Sequence, residues 1–552
     1  MIPFQCRLQS LFRLSAVMLI GLHVLQPVYA QNTPPAEPPV PEVVEESAEE
    51  KGDWQAEFNT WFSENINGPL GSVLFAPVPF IATDKVTEGG EPVLDADGTQ
   101  EKNQIPLIVM VLVLGGIFFT FRYGFINVRL FSHAINVIRG KYDKKDDKGE
   151  ITHFQALTSA LSATVGLGNI AGVAIAISLG GPGAVFWMWT TAFFGMTMKF
   201  NSCTLAHLYR RVGEDGHVQG GPMIYLEEGL KDVNPSLAWL GKLFALVFAV
   251  FMVMAAFGAG NLFQVNQTAS VIEMLFFDND ASAVVQLGIG GIMAFLAGIV
   301  LIGGIKRIGD TTAKIVPAMC FFYCTVCLII ILMNISDIGP MLGSIFSNAF
   351  NAPAAFGGFV GVLVQGMKRA AFSNEAGLGS AAIAHAAAKT EEPVREGVVA
   401  MVGPFIDTLV VCTMTALTIL ITQAHVDTGG LEGVQITAKA FGQLGGAVPY
   451  ILCLAVFVFA YSTIISWGYY AERCVEYLFG LKAILMFRLV YVFVIIIAPI
   501  LSLGAIVDFA DILLLTLAFP NIIGSALITI KVKPLVEDYI KRLKSGEMKM
   551  EN

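Results

Sequence analysis

Ser162-Ala163-Thr164-Val165-Gly166-Leu167-Gly168-Asn169 sits in the middle of a segment otherwise apolar enough to span a bilayer. Two glycines framed by Thr164 and Asn169 do not suit an uninterrupted lipid-facing helix. They suit a helix that breaks at membrane depth, where freed backbone groups bind a solute or an ion instead of lipid. A second stretch of this kind, Phe372-Ser373-Asn374-Glu375-Ala376-Gly377-Leu378-Gly379, lies five hydrophobic segments further on. Many secondary transporters build their site from two broken helices facing one cavity, so the pattern predicts a transporter.

The composition agrees. Of 552 residues, 55% are hydrophobic and only 14% charged, which is the range of a membrane protein. The net charge of −10 is local: residues 31–104 hold 15 Asp and Glu against 3 Lys, which leaves the remainder slightly basic. No basic face points to nucleic acid.

Residues 1–30 read as a signal peptide. Arg7 and Arg13 precede an apolar core from Leu14 to Val24, and Val28-Tyr29-Ala30 offers a small-residue cleavage site. An uncleaved anchor is the alternative. No cysteine stands directly after Ala30, which argues against a lipoprotein, and the seven cysteines beyond Cys6 lie in or beside apolar segments, so no extracellular disulfide framework is expected. Residues 31–104 form an acidic extracytoplasmic segment, expected to be partly disordered: Pro- and Glu-rich over 31–52, then carrying Trp54, Phe58, Trp61 and Phe62 on a possible interfacial helix.

The transmembrane region is read as 105–530 and the cytoplasmic tail as 531–552. Eleven spans approach the ~20 residues that a ~30 Å hydrocarbon core requires. They run 105–125, 155–178, 183–208, 240–270, 283–305, 312–334, 356–388, 398–424, 448–476, 484–503 and 508–530. Basic residues follow the first span (Arg129, Arg139, Lys141, Lys144, Lys145, Lys148), the third (Arg210, Arg211), the fifth (Lys306, Arg307) and the last (Lys531, Lys533). The positive-inside rule then predicts an outer N-terminus and a cytoplasmic C-terminus. From the second span onward the series divides five and five, with a break opening each half. That arrangement predicts an inverted repeat with its site at the midplane.

Three stretches resemble the alanine/glycine:cation symporter family, which includes the sodium:alanine symporters. They are Gly166–Ala174, Gly180–Gly195 (Gly-Gly-Pro-Gly-Ala-Val-Phe-Trp-Met-Trp-Thr-Thr-Ala-Phe-Phe-Gly) and Phe372–Ala381. The resemblance covers about 105–530. It implies an all-α polytopic membrane protein with a five-plus-five inverted-repeat core, shared with the neurotransmitter:sodium symporters. It also implies sodium-coupled symport of small neutral amino acids, alanine or glycine, across a bacterial inner membrane. No enzyme activity and no cofactor is implied, the sodium ion being the coupling ion. Nothing in the sequence names a protein partner, and residues 31–104 fall outside the family pattern.

A zwitterionic amino acid needs donors for its carboxylate, acceptors for its ammonium and a pocket for its side chain. Amides of Gly166, Leu167 and Gly168, freed by the break, and the half-helix beginning near Asn169 suit the carboxylate. Close packing of small residues is the other reading of such glycines, and is preferred for Gly172. Sodium wants hard oxygens. Thr164, the Val165 carbonyl and Asn169 are candidates, as are Ser462 and Thr463, which match where the related fold places a sodium. Back-bonding to the preceding turn is the competing use of those hydroxyls.

Thr463 and Trp467 share a helical face that is expected to line the pocket, Trp467 limiting side-chain size or acting as packing bulk. Asn261, Gln264 and Gln267 recur in the apolar fourth span, and Gln264 is the expected substrate contact. Phe372 reads as a lid or wall, Ser373 and Asn374 as polar contacts, and Glu375 as a loop tie. Asp407, an acid inside the eighth span, either balances a sodium ion or pairs with a basic residue. Lys368 and Arg369 are expected at the outer vestibule.

Three decoys carry less weight. Gly166-x-Gly168-x-x-x-Gly172 has the wrong spacing and setting for a dinucleotide loop. Ser380 and His385 are five apart on a helix and point away from each other, and Cys320, Cys324 and Cys327 read as packing. A channel lacks its repeated filter. A transporter-derived sensor, or a proton-coupled transporter of another small solute, remains the alternative.

Overall fold

The computed structural model describes residues 102–548 apart from 144–146, 215, 303 and 352–357, together with 77–84 and residues 60, 64, 67, 68 and 71. The expected signal peptide and most of the acidic segment lie outside the described residues. Strands β1 (Pro77–Asp84) and β2 (Lys102–Pro106) pair antiparallel, and β2 runs directly into the first helix.

Almost everything after that is helix. The elements are α1 (Leu107–Arg122), α2 (His153–Thr164), α3 (Ala171–Gly180), α4 (Gly183–Leu208), α5 (Pro222–Val233), α6 (Ala238–Phe257) and α7 (Phe263–Phe276). They continue as α8 (Ala283–Leu301), α9 (Gly304–Met333), α10 (Ile338–Phe350), α11 (Gly358–Asn374), α12 (Ala382–His385), α13 (Pro393–Ala400) and α14 (Thr413–Ile421). The last are α15 (Val434–Phe441), α16 (Val448–Phe479), α17 (Ile484–Ile497), α18 (Leu503–Thr516) and α19 (Ala518–Lys544).

Seven helical runs among the described residues are long and apolar enough to cross a membrane. Their burial runs opposite to that of a soluble core. Ala283–Leu301, Ile305–Met333 and Leu481–Ile500, among the most apolar, are only 28–33% buried, whereas Pro393–Ile421 and Leu503–Lys544 are 67% and 78% buried. The apolar surfaces that face outward are solvated by lipid, and the polar sequence is packed inside. Of the other expected spans, 105–125 holds α1, 155–178 holds α2 and α3, 183–208 holds α4, and 356–388 holds α11 and α12.

Both expected breaks are present. Thr152 opens α2 with a capping box, its hydroxyl accepting from Gln155 N while the Gln155 side chain takes Thr152 N. The helix then stops at Val165, whose ψ of 78° is non-helical, and resumes at Ala171. The second break opens at Glu375, with φ of +55°, and continues through Gly377 at +84° and Gly379 at +88°. A glutamate in the left-handed region costs about 1–3 kcal/mol, so the surroundings hold it there.

Two helices carry π-helical turns: Gly258–Leu262 between α6 and α7, and Phe405–Cys412 before α14. Such turns cluster at functional sites. Hydropathy does not reveal the shorter helices α5, α10 and α15. Residues 531–544, read as tail, continue α19 without interruption. The helical run Leu503–Lys544 thereby carries Asp511 near one end and Arg542 near the other; Arg542 makes a bidentate pair with Glu392 at 2.7 and 3.0 Å.

Candidate functional site

Residues 156–177 are all buried, and so are 369–388. Buried backbone at a break must find hydrogen-bond partners, and the partners it finds define the site.

At the first break Gly166 N donates to Thr164 O at 2.9 Å and to Asn169 Oδ1 at 3.1 Å. Leu167 N donates to Gln264 Oε1 at 3.1 Å, and Gln264 Nε2 is held by Ala259 O beside the π-helical turn. Two of the three amides expected to be free are therefore taken by side chains of the protein. Gln264 faces the break as expected, but as the acceptor that holds it. Its neighbours in the fourth span bind elsewhere: Asn261 Nδ2 donates to Tyr491 O, and Gln267 Oε1 accepts from Val434 N.

Asp407 sits in the π-helical turn, fully buried, and its carboxylate joins the two breaks. Oδ1 accepts from Asn169 Nδ2 at 2.6 Å, and Oδ2 accepts from Ser373 Oγ at 2.7 Å and Thr408 Oγ1 at 2.6 Å. Asn374 Nδ2 donates to Thr408 Oγ1, extending the cluster along the second break. All three donors to the carboxylate are neutral, so among the described residues the basic partner allowed by the sequence is not realised. An ionised carboxylate buried without a counter-charge costs several kcal/mol. It is a ready ligand for a cation, with Asn169 Oδ1 and Ser373 Oγ as hard oxygens beside it.

The hydroxyls of Thr164, Ser462 and Thr463, candidates for sodium, are spent on backbone carbonyls. Thr164 Oγ1 back-bonds to Ala160 O and Leu161 O, and Ser462 Oγ to Phe459 O at 2.9 Å. Thr463 Oγ1 donates to Ser162 O at 2.9 Å while Ser162 Oγ donates to Ser462 O at 2.6 Å, which clamps α2 to α16. Trp467 continues that seam, its Nε1 donating to Ala163 O at 3.1 Å.

The glycines report how close the walls are. A Cβ on Gly166 would lie 2.3 Å from Thr463 Oγ1, and one on Gly168 would lie 3.2 Å from Phe372. Gly172 departs from expectation: a Cβ there meets nothing beyond Leu167 O of its own chain segment at 4.0 Å, so helix packing does not explain it.

On the side read as outer, Phe372 packs edge-to-face on Phe263 with centroids 4.9 Å apart, and the Arg369 guanidinium lies over the Phe372 ring. Arg369 is buried and pairs with Asp511 of α18, which Lys368 reaches at 3.2 Å. The two basic residues therefore close over the break rather than lining an open vestibule. Helix α15 adds cover, Thr437 Oγ1 donating to Ile170 O.

Glu375 accepts from Ser380 Oγ and leaves Oε1 without a hydrogen-bond partner among the described residues, while Lys199 Nζ donates to Asn374 O at 3.1 Å. Sequence reading passed over Lys199, although a lone lysine inside an apolar span is itself a signal. It also passed over Thr408, whose adjacency to Asp407 was visible. His385 bonds Glu396, not Ser380, so the two decoy residues serve different carboxylates.

Known proteins resemble this chain over most of its length. The sodium:alanine symporter family matches residues 97–552. The sodium/alanine symporter AgcS of Methanococcus maripaludis is 45% identical over 425 residues, covering 76% of this chain and 91% of that protein. A probable sodium/glutamine symporter, GlnT of Bacillus subtilis, is 34% identical over 445 residues, covering 80% and 89%. Among solved structures, MhsT in complex with L-phenylalanine aligns at 14% identity with a TM-score of 0.48, covering 69% of this chain and 99% of that one. With a match that takes in both breaks and the helices around them, this membrane protein belongs to the sodium:alanine symporter family, a family of transporters and not of enzymes.

Proposed function

We propose that the chain couples sodium entry to uptake of a small neutral amino acid, alanine or glycine, by alternating access around the two breaks. The observation that carries this reading is the Asp407 carboxylate, bonded to both breaks through neutral donors only. Sodium supplies the missing counter-charge, held by Asp407 and Ser373 with the Val165 carbonyl and Asn169 Oδ1. Thr164, Ser462 and Thr463 are secondary candidates, each requiring its present hydrogen bond to be given up.

The same geometry links ion and solute. Asn169 Oδ1 now accepts from Gly166 N. When sodium takes that oxygen, Gly166 N is released to a substrate carboxylate, with Gly168 N as the second amide of the donor set. Gln264 must release Leu167 N for the third amide to join, so it acts as a gatekeeper of the donor set. Phe372 forms the lid, Trp467 and Thr463 the wall, and Ser373 and Asn374 the polar edge. The protein works in the plasma membrane with its C-terminus in the cytoplasm, the orientation that the positive-inside rule favours for its basic loops.

Radiolabelled alanine and glycine uptake into proteoliposomes, with and without an inward sodium gradient, tests the reading. Accumulation above equilibrium only with the gradient is expected. Accumulation that ignores sodium would overturn the coupling, and binding without accumulation would favour a sensor.

A further inference from the structure

Away from the breaks, a second buried carboxylate holds both broken helices. Glu396, in the first turn of α13, is fully buried and accepts on both oxygens. His153 Nδ1, at the start of α2, donates to Oε2, and His385 Nδ1, at the end of α12, donates to Oε1 at 2.5 Å. Both imidazoles are buried. One carboxylate thus pins the terminal turns of both half-helices that face the side read as cytoplasmic.

An imidazole that donates through Nδ1 keeps Nε2 in reserve. His153 Nε2 lies 3.7 Å from Asp143 Oδ1, and neither atom has a hydrogen-bond partner among the described residues. That separation is too long for a hydrogen bond, and two acceptors have no reason to close it. A proton on Nε2 converts the same contact into a charge-assisted bond.

We propose that His153, Glu396, His385 and Asp143 form a proton-operated latch, in which one proton taken up at His153 Nε2 locks the inner halves of both broken helices shut. The proton comes from the aqueous phase and no covalent bond is broken. The latch rests on the transport reading for its orientation and its effect on turnover. The charged and titratable groups around it are Arg395, whose Nη1 donates to Tyr142 O, and His207, Cys203 and Lys199 on α4. Arg210, Asp147 and Glu391 lie further out. Arg395 and Arg210 are permanent cations beside the cluster.

Imidazole changes charge near neutrality, so the latch tightens as pH falls from 8 to 6 and loosens as it rises. A single linked proton moves the closed-to-open ratio by at most about tenfold per pH unit.

Asp143→Asn is the test variant, because its side chain is 41% exposed in a loop and the change leaves the helices intact. Hydrogen–deuterium exchange of amides 153–164 and 382–388 is compared between wild type and variant at equal pH in the full chain. At pH 6 the wild type is expected to exchange about three- to tenfold more slowly than Asp143→Asn, and at pH 8 the two should coincide. His153→Gln should likewise lose the pH-dependent protection. Equal exchange of wild type and Asp143→Asn at pH 6 overturns the latch. The readout needs no substrate, so a failure of amino-acid uptake would count against the transport reading alone.

Discussion

Asp407 and Glu396 lie eleven residues apart in one helical run, about 16 Å along its axis. Each divides its two oxygens between the same pair of broken helices, Asp407 at the breaks and Glu396 at their far ends. The difference is in the donors. Asp407 is met by an amide and two hydroxyls, none of which can become charged, so its hydrogen-bond partners leave room for an added cation. Glu396 is met by two imidazoles, which carry the means of neutralisation themselves. Two carboxylates of the same run can thus serve as an ion site and as a fastening, according to what surrounds them.

Exchanging charge for amide should separate the two. Asp407→Asn is expected to cut sodium-driven uptake by about a hundredfold or more, the order of losing a buried charge partner worth ~3–5 kcal/mol. Thermal unfolding of that variant should no longer respond to sodium, and a retained sodium shift would break the comparison at its strongest point. Glu396→Gln should do the reverse. A glutamine accepts from one imidazole and strands the other, so stability is expected to fall by about 2–4 kcal/mol. Its sodium-induced shift in unfolding temperature should survive, and loss of that shift would mean the two sites are one.

Smaller changes sharpen the picture near the breaks. Gly166→Ala drives a methyl group into Thr463 Oγ1, and overpacking of about 1–3 kcal/mol should raise the concentration of alanine needed for half-maximal uptake roughly tenfold. Gly172→Ala, with nothing outside its own segment within 4 Å, serves as the paired control and should leave that concentration unchanged. Trp467→Phe removes the bond to Ala163 O, worth about 1 kcal/mol, and opens the wall. Competition between alanine and glutamine should then shift about fivefold toward glutamine; an unchanged preference would remove Trp467 from the pocket.

How much of this was legible depends on whether the signal was local. The breaks were, because glycine and polar residues inside an apolar run have no other use at that density. Asn169, Ser373 and Asp407 stood out as candidates for the same reason. Gln264 was found but its partner was not, since its bond to Leu167 N spans 97 residues. The Glu396 cluster was invisible: His153 and Glu396 are 243 residues apart, and each alone reads as a polar residue at a helix end. Ser462 and Thr463 stayed ambiguous for a subtler reason. Ser462 makes the back-bond to Phe459 O that was the competing use of such a hydroxyl, whereas the bond of Thr463 to Ser162 O depends on the packing of α2 on α16.

The long run Leu503–Lys544 has a mechanical meaning. Its Asp511 grips the second broken helix near one end of the run, and its Arg542 grips Glu392, just ahead of α13, near the other. About 47 Å of helix separates the two grips. Such a rod works as a lever, and tilting it to free one end loads the other, so the two gates would be kept from opening together without any signal crossing the site. A glycine pair at 517 and 518 should leave both grips in place yet let the ends move independently, and spin-label distances across each face would register the loss of that interlock.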